Sequence, residues 1–233
     1  RRLAEKLGCA LDLLEEAVSE ARPVPSLGRL RITLAPFFGN RWLLPRLADF
    51  EAQNPGLTIE PVLSFDYVDL PRSDFDAAVR YGGGEWDGLR STLIFRDRLF
   101  AVSAPQLLQG AALPLGAEAV LALPRAGARG WPGDWQAWAD TAGVAVPVAD
   151  GLVEHDSRAF MFDAALSGQA AILADPRMTA VDEAAGRLVR LSPVSVERPQ
   201  GIYLVAARPD PDPRLERFAD WLRSAAALDA PAV

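Results

Sequence analysis

Apolar residues recur along this chain at the spacings that mark strands and helices. The run from Leu30 to Leu34 is typical of a strand, and a short turn is predicted at residues 36–39. Beyond the turn, apolar residues lie one, three or four positions apart and form one helical stripe: Trp42, Leu43, Leu47 and Phe50. This stripe predicts a helix from Asn40 to Gln53, with Asn40 as its cap. Such a strand-to-helix turn presents backbone N–H groups where α/β sheets bind small ligands, although a plain connection without a ligand fits equally well.

The N-terminal segment has a different apolar pattern. Small and branched apolar residues alternate at spacings of four and three, as in the seam of a short coiled coil: Leu3, Leu7, Ala10, Leu14, Ala17 and Ala21. This pattern predicts one amphipathic helix over residues 1–22 that pairs with a second protomer. A helix that packs on its own domain is the alternative. Pro23 and Pro25 end this helix, so residues 1–26 form a linker helix and tether.

After residue 29 the predicted strands and helices alternate. The predicted strands are residues 57–63, 75–81, 93–95, 99–103, 170–173, 188–191 and 201–206. The predicted helices are residues 135–142, 160–167, 176–185 and 213–226, with a helical turn at Pro105. Strands that alternate with helices predict a mainly parallel α/β sheet.

Composition and charge narrow the function classes. The 233 residues include 24 basic and 31 acidic side chains, for a net charge of −7. Contacts to nucleic-acid phosphates need clustered Lys and Arg side chains, so this acidic chain is not expected to bind nucleic acid by itself. Cys9 is the one cysteine, and no apolar run of about 18 residues predicts a membrane span. A cytoplasmic protein is therefore expected.

The residues that could carry catalysis do not form a catalytic pattern. His155, Asp156 and Ser157 are adjacent on one predicted strand, so their side chains cannot converge as a nucleophile, base and orienting acid must. The glycines at 82–84 lack the lysine of a phosphate-binding loop. One histidine and one cysteine offer no metal site. Neither an enzyme, a cofactor nor a metal is expected.

A binding role uses some of the same residues. Asp156 and Ser157 precede a predicted helix, so they form a second helix start like the one at Pro36, Phe37 and Phe38. Two helix starts that face each other across a cleft would bind an organic anion or an amino acid. Simple N-capping is the alternative for Asp156 and Ser157, and His155 alone is more often a structural residue.

Several stretches together resemble the effector-binding region of LysR-type transcriptional regulators, in the branch of the glycine-cleavage activator and the β-lactamase regulator. The stretches that carry the resemblance are residues 38–50, 74–89, 100–105, 156–157, 164–168 and 185–190. The Arg80-Tyr81-Gly-Gly-Gly stretch followed by Trp86 is the most specific of them. The resemblance runs through essentially the whole chain, in order.

The resemblance implies two Rossmann-like α/β subdomains of the type II periplasmic-binding-protein fold, joined by two crossing strands. Subdomain I would comprise residues 27–101 and 204–233, and subdomain II residues 102–203, with crossings near residues 101–103 and 203–205. An effector would bind in the cleft, and family pocket positions correspond to Phe37, Asp69, Tyr81, Ser103, Ser157 and Tyr203. Many relatives have a small hydroxyl residue at the position of Phe37, so an aromatic ring here implies an apolar, aromatic ligand or none.

The resemblance also implies an assembly. A homodimer or tetramer is expected, in which the helix over residues 42–53 lies near the partner's helix over residues 160–168. The predicted interface residues are Leu3, Leu7, Leu14, Trp42, Phe50 and Phe162. Promoter DNA would be bound through a winged helix-turn-helix that is not in this chain. A solute-binding protein of a transport system has the same fold and is the alternative function.

Overall fold

A computed structural model describes residues 28–147, 151–207 and 212–229. The predicted N-terminal helix, with Leu3, Leu7 and Leu14, lies outside the described residues.

Eight strands form two sheets. The strands are β1 (Gly28–Leu34), β2 (Leu57–Leu63), β3 (Ala77–Gly82), β4 (Arg90–Ser103), β5 (Arg125–Ala128), β6 (Leu152–His155), β7 (Ile172–Ala174) and β8 (Val189–Ala206). The larger sheet has the order β2-β1-β3-β8-β4-β7, and β5 pairs with β6 in the smaller one. The β1 pairs and the β5–β6 pair are parallel, whereas β8 is antiparallel to both of its neighbours. The sheet is therefore mixed, and the prediction of a mainly parallel sheet is wrong for its centre.

The helices cover the sheets. Helix α1 is the helical run over residues 36–53, followed by α2 (Ala117–Leu121), α3 (Asp134–Ala142), α4 (Arg158–Leu166), α5 (Pro176–Ala184) and α6 (Pro213–Leu228). Short 3-10 turns lie at Leu70–Arg72 and Pro105–Leu108. Each helix predicted after residue 29 is present, with ends that shift by up to four residues.

Helix α1 begins four residues earlier than predicted. Pro36 occupies its first turn, where the absence of an N–H costs nothing and the fixed φ suits a helix. Asn40 therefore lies inside the helix and does not cap it. The run changes its hydrogen-bonding pattern three times: an α-helical turn at Pro36–Phe38, a π-helical turn at Gly39–Leu43, a 3-10 turn at Leu44–Arg46 and an α-helix at Leu47–Gln53.

Strands β4 and β8 are each longer than predicted. The charged sequence Arg96-Asp97-Arg98 suggested a break between two short strands, but β4 is continuous over 14 residues. β8 is continuous over 18 residues and pairs with β4 along most of its length. The β4–β8 ladder has register shifts at three places, including one between Arg96 and Arg98. Both strands thus run through the two halves of the molecule.

Two main groups of buried residues form the core. The larger one includes Leu30, Trp42 and Phe162, and the smaller one surrounds Trp138 in the half built on β5–β7. Trp42 and Phe50 are completely buried and Phe162 is 2% exposed. These side chains pack within their own chain and offer a partner almost no surface, so the apolar stripe faces the sheet. The subdomain boundaries at residues 101/102 and 203/204 stay a prediction. No helix of the described residues is both long and apolar enough to cross a membrane.

Candidate functional site

A cavity of about 220 Å³ lies where α1 and α4 begin. Its walls come from both helix starts, from β3, β4 and β8, and from the segment after β5. The residues that line it include Phe37, Phe38, Phe65, Tyr81, Phe95, Asp97, Trp131, Asp156, Ser157, Arg158, Ala159 and Ile202. The structure thus brings together the two helix starts that the sequence singles out.

The two phenylalanines at the start of α1 have different surroundings. Phe38 is 5% exposed, and its ring centroid lies 5.2 Å from Trp42 and 6.4 Å from Phe95. Phe37 is half-buried and lies 4.9 Å from the Phe162 ring of α4. Phe38 is therefore a core residue that touches the cavity, whereas Phe37 is a wall residue held by α4.

Ser157 caps the opposite helix. Its Oγ accepts a hydrogen bond from the backbone N–H of Phe160 at 3.4 Å, so the capping role is present. Asp156 points to solvent, with a side chain that is 75% exposed and an ion pair to Arg129 at 2.7 Å. Its charge is thus already partnered at the rim of the cavity.

An ion pair between β4 and α4 contains the most buried charged side chain of the cavity wall. Both terminal nitrogens of Arg158, the first residue of α4, donate to Oδ2 of Asp97 in β4 at 3.2 and 3.3 Å. Asp97 is 3% exposed. The Arg158 guanidinium also lies 4.3 Å from the Tyr81 ring centroid and 5.6 Å from that of Trp131. Two aromatic rings and one carboxylate therefore hold this cation.

Burial and this ion pair shift the pKa values of Tyr81 and Arg158. Burial, together with the nearby Asp97 carboxylate, raises the pKa of the Tyr81 hydroxyl. Burial alone would lower the pKa of Arg158, but the Asp97 carboxylate and a hydrogen bond with the Tyr81 hydroxyl outweigh it and raise that pKa. Tyr81 therefore stays a neutral hydroxyl, and Arg158 stays a cation, at any physiological pH.

An ion-pair cluster joins α1 to α5 beside the cavity. Arg41 pairs with Asp182, which is 3% exposed and also pairs with Arg187 at 2.6 Å. The Arg41 guanidinium lies 4.6 Å from the Phe162 ring. This cluster fixes the position of α1 close to the wall residue Phe37.

Five predicted site residues lie outside this cavity. Tyr81 pairs with Ile202 across β3 and β8, and both line the cavity, so the next residue, Tyr203, points to the other face of the sheet. There its ring packs on Trp86 at 5.5 Å and its hydroxyl donates to the carbonyl of Gly83. Ser103 is completely buried and donates to the carbonyl of Ala104.

The other three residues are not among those that line the cavity either. Asp69 is exposed and approaches only Arg72, at 3.8 Å. His155 ends β6 and accepts a hydrogen bond from the N–H of Arg129 through its backbone carbonyl. Pro36 starts α1 but does not line the cavity.

Sequence reasoning missed Asp97, Arg158 and Trp131. A signal for Asp97 was present, because a carboxylate within the apolar run from Leu93 to Ser103 must be paired if the strand is buried. Arg158 directly follows the predicted helix start, but no local signal pairs it with Asp97, which lies 61 positions away. No local signal points to Trp131, which follows β5 and reaches Tyr81 only through the tertiary fold, at a ring separation of 4.3 Å.

Other depressions are larger but more open. One of about 350 Å³ lies between α6 and β4, and one of about 540 Å³ lies beside Phe100. Neither is lined by residues of both helix starts. Among the described residues, no group of three or more His, Cys, Asp or Glu side chains is placed to hold a metal ion.

Comparison with protein families gives one match over most of the chain. Residues 25–227 match the family described as the LysR substrate binding domain. The glycine cleavage system transcriptional activator of Escherichia coli is 31% identical over 223 residues, which cover 93% of this chain and 71% of that protein. The AhcY transcriptional activator HvrB of Rhodobacter capsulatus is 29% identical and covers 97% of this chain and 76% of that protein.

Solved structures agree with this match. The effector domain of the transcriptional regulator AmpR of Pseudomonas aeruginosa is 26% identical, with a TM-score of 0.72 over 87% of this chain and 97% of that domain. The AmpR effector binding domain of Citrobacter freundii has a TM-score of 0.73 at 22% identity, which bears on the fold alone. The two-subdomain fold predicted from the resemblance is confirmed.

Proposed function

Because this chain belongs to the LysR family of transcriptional regulators, of which it is the effector-binding domain, we propose that it senses a small molecule in the cavity between α1 and α4. Occupation of this cavity changes the way in which the regulator binds promoter DNA. DNA is bound through a separate winged helix-turn-helix. The relatives named above are regulators of transcription, and they lend no support to the solute-binding alternative.

One observation supports the proposed location of the effector site. The cavity is lined at once by the start of α1 and the start of α4, and its ion pair joins β4 to α4. A molecule in this position touches elements from both halves of the fold, so binding favours one relative arrangement of the halves over others. The proposed effector residues are Phe37, Tyr81, Asp97, Trp131, Ser157 and Arg158.

Proposals about partners and chemistry follow from the same family. The regulator acts in the cytoplasm as a homodimer or tetramer, and the predicted contact between α1 and the partner subunit's α4 stays a proposal. No catalysis is proposed, since the polar groups of the cavity are held in an ion pair and a helix cap.

A cavity-filling substitution tests the proposed site. Ala159 lines the cavity one residue after Arg158, so Ala159→Trp puts an indole into the space that a ligand needs. Small molecules that bind the unmodified chain in equilibrium dialysis of a metabolite library are expected to lose binding to this variant. The matched control is Ala48→Trp, at an exposed position of α1. Ligands that bind Ala159→Trp as well as the control would contradict the proposal. In the complete regulator, a ligand should alter the promoter footprint of the control only.

A further inference from the structure

The charges that face the cavity are all partnered within the chain. Arg158 is the one cation among the described lining residues, and Asp97 takes both of its terminal nitrogens. Asp156, the other ionised group in the wall, is paired with Arg129 at the rim. A buried ligand charge is costly unless the site supplies an opposite charge that is free to pair with it. This wall supplies neither a free cation nor a free anion.

The remaining wall is aromatic and the space is small. Rings of Phe37, Phe38, Phe65, Tyr81 and Trp131 line the cavity. Its volume of about 220 Å³ is below the range of roughly 300–1,000 Å³ that is usual for drug-sized ligands. A single planar ring can lie against these side chains in edge-to-face or offset arrangements. The walls therefore favour one ring with a small polar substituent.

Asp97 occupies the place where the carboxylate of an acidic ligand would meet Arg158. A guanidinium at a helix start, flanked by aromatic rings, is well suited to bind an aromatic acid. Here the acid is a side chain of the same protein, 3% exposed and fixed in β4. We infer that the effector is a small, uncharged, single-ring compound, and that Asp97 determines this specificity by neutralising Arg158. The inference rests on the proposed function of the cavity.

Three compounds of nearly the same shape and different charge test this inference. Benzamide is neutral, benzoate is an anion and benzamidine is a cation at pH 7. Dissociation constants from ligand-observed NMR are expected to be about tenfold lower for benzamide than for either charged probe with the unmodified chain. This comparison needs no variant, so it holds even if a substituted protein folds poorly.

Asp97→Asn then removes the internal carboxylate and keeps its shape. This variant removes the only carboxylate that is hydrogen-bonded to Arg158 among the described residues, since the other acidic neighbour, Asp134, is paired with Arg198 at 3.0 Å. Its melting temperature should therefore fall, and benzoate should raise it more than benzamide does. The affinity for benzoate should rise about tenfold and that for benzamidine should fall. Asp163→Asn is the matched control, because it makes the same chemical change at an exposed position of α4 that does not line the cavity, and it should leave the order of the three probes unchanged.

Several results would overturn the inference. These are a preference of the unmodified chain for benzoate or benzamidine, an Asp97→Asn variant that gains no affinity for benzoate, or no binding of any probe to either protein. Library ligands that are lost on Ala159→Trp would still support the proposed site in each case. Failure of the charge-specificity inference is thus distinguishable from failure of the proposed function.

Discussion

At the scale of single residues, neighbours in the sequence have different roles because each faces a different environment. Phe38 packs on Trp42 and Phe95 in the core, whereas Phe37 lies against Phe162 at the cavity wall. Tyr81 lines the cavity, while Tyr203, on the adjacent strand, points away from it. The chemical type of a residue is therefore a weaker guide to its role than its face on the element.

Serine substitutions at 37 and 38 separate these roles. Phe38→Ser removes a buried ring and should lower the free energy of unfolding by about 3 kcal/mol, as large-to-small core changes do. Phe37→Ser should cost less, because Phe37 is only half-buried, and it should enlarge the cavity and admit bulkier uncharged compounds. Urea unfolding and calorimetric titration measure both effects. A larger loss of stability for Phe37→Ser, with no gain of ligand, would reverse the two assignments.

The raised pKa of Tyr81 predicts a dependence of stability on pH. A hydroxyl with a higher pKa in the folded than in the unfolded chain stabilises the fold fully below the unfolded pKa of about 10. That contribution is lost as the pH rises above 10, because unfolding then releases a proton. Urea unfolding at pH 9 and pH 11 should therefore show a larger loss for the unmodified chain than for Tyr81→Phe. Equal losses would mean that Tyr81 ionises as readily in the folded protein.

Sequence rules found the helix starts but not the groups that complete the site. Phe37 and Ser157 follow from local rules, since a strand-to-helix turn and a capping serine are visible in a few residues. Tyr203 lies on the opposite face of the sheet from the cavity, and the sequence did not indicate this because the face of a residue in β8 depends on its register against β3. Asp97 and Arg158 meet across 61 positions of the chain, so only the fold reveals the pair.

At the scale of elements, the close pairing of β4 with β8 depends on Gly201. A Cβ at Gly201 would lie 2.3 Å from the carbonyl oxygen of Phe95 in β4, so no larger side chain fits without moving the backbone. The length of β4 and β8 was not predicted, because Arg96-Asp97-Arg98 and the prolines at 193 and 199 interrupt the apolar pattern that identifies strands. Tertiary pairing overrides these local signals.

Gly201→Ala should therefore destabilise the molecule by roughly 1–3 kcal/mol, in the range of other overpacking changes. Gly83→Ala is the matched control, since a Cβ at Gly83 meets nothing within 4 Å. Thermal unfolding of both variants measures the difference. Equal melting temperatures would mean that β4 and β8 separate at this point without cost.

At the scale of the whole molecule, the predicted dimer needs an apolar surface that the chain itself leaves exposed. Phe162 is buried, so Phe162→Glu would test folding and not association. Phe160 lies on the same helix, α4, and is 60% exposed. Phe160→Glu should shift the protein toward monomer in sedimentation velocity if α4 meets the partner. Leu113→Glu, at a 41% exposed position outside α4, should not. An unchanged profile for Phe160→Glu would argue against this interface.

The register shift between Arg96 and Arg98 places an irregular step in the long β4–β8 ladder. An irregular step of this kind bends the strand, increases its local twist and changes the direction of the side chain that it carries. Asp97 is the residue at this step, and its side chain holds Arg158 at the start of α4. The irregular step is thus connected to the cavity through a single side chain. A substitution that restored a regular ladder at this step would turn the Asp97 side chain and move the one cation among the described residues of the cavity wall.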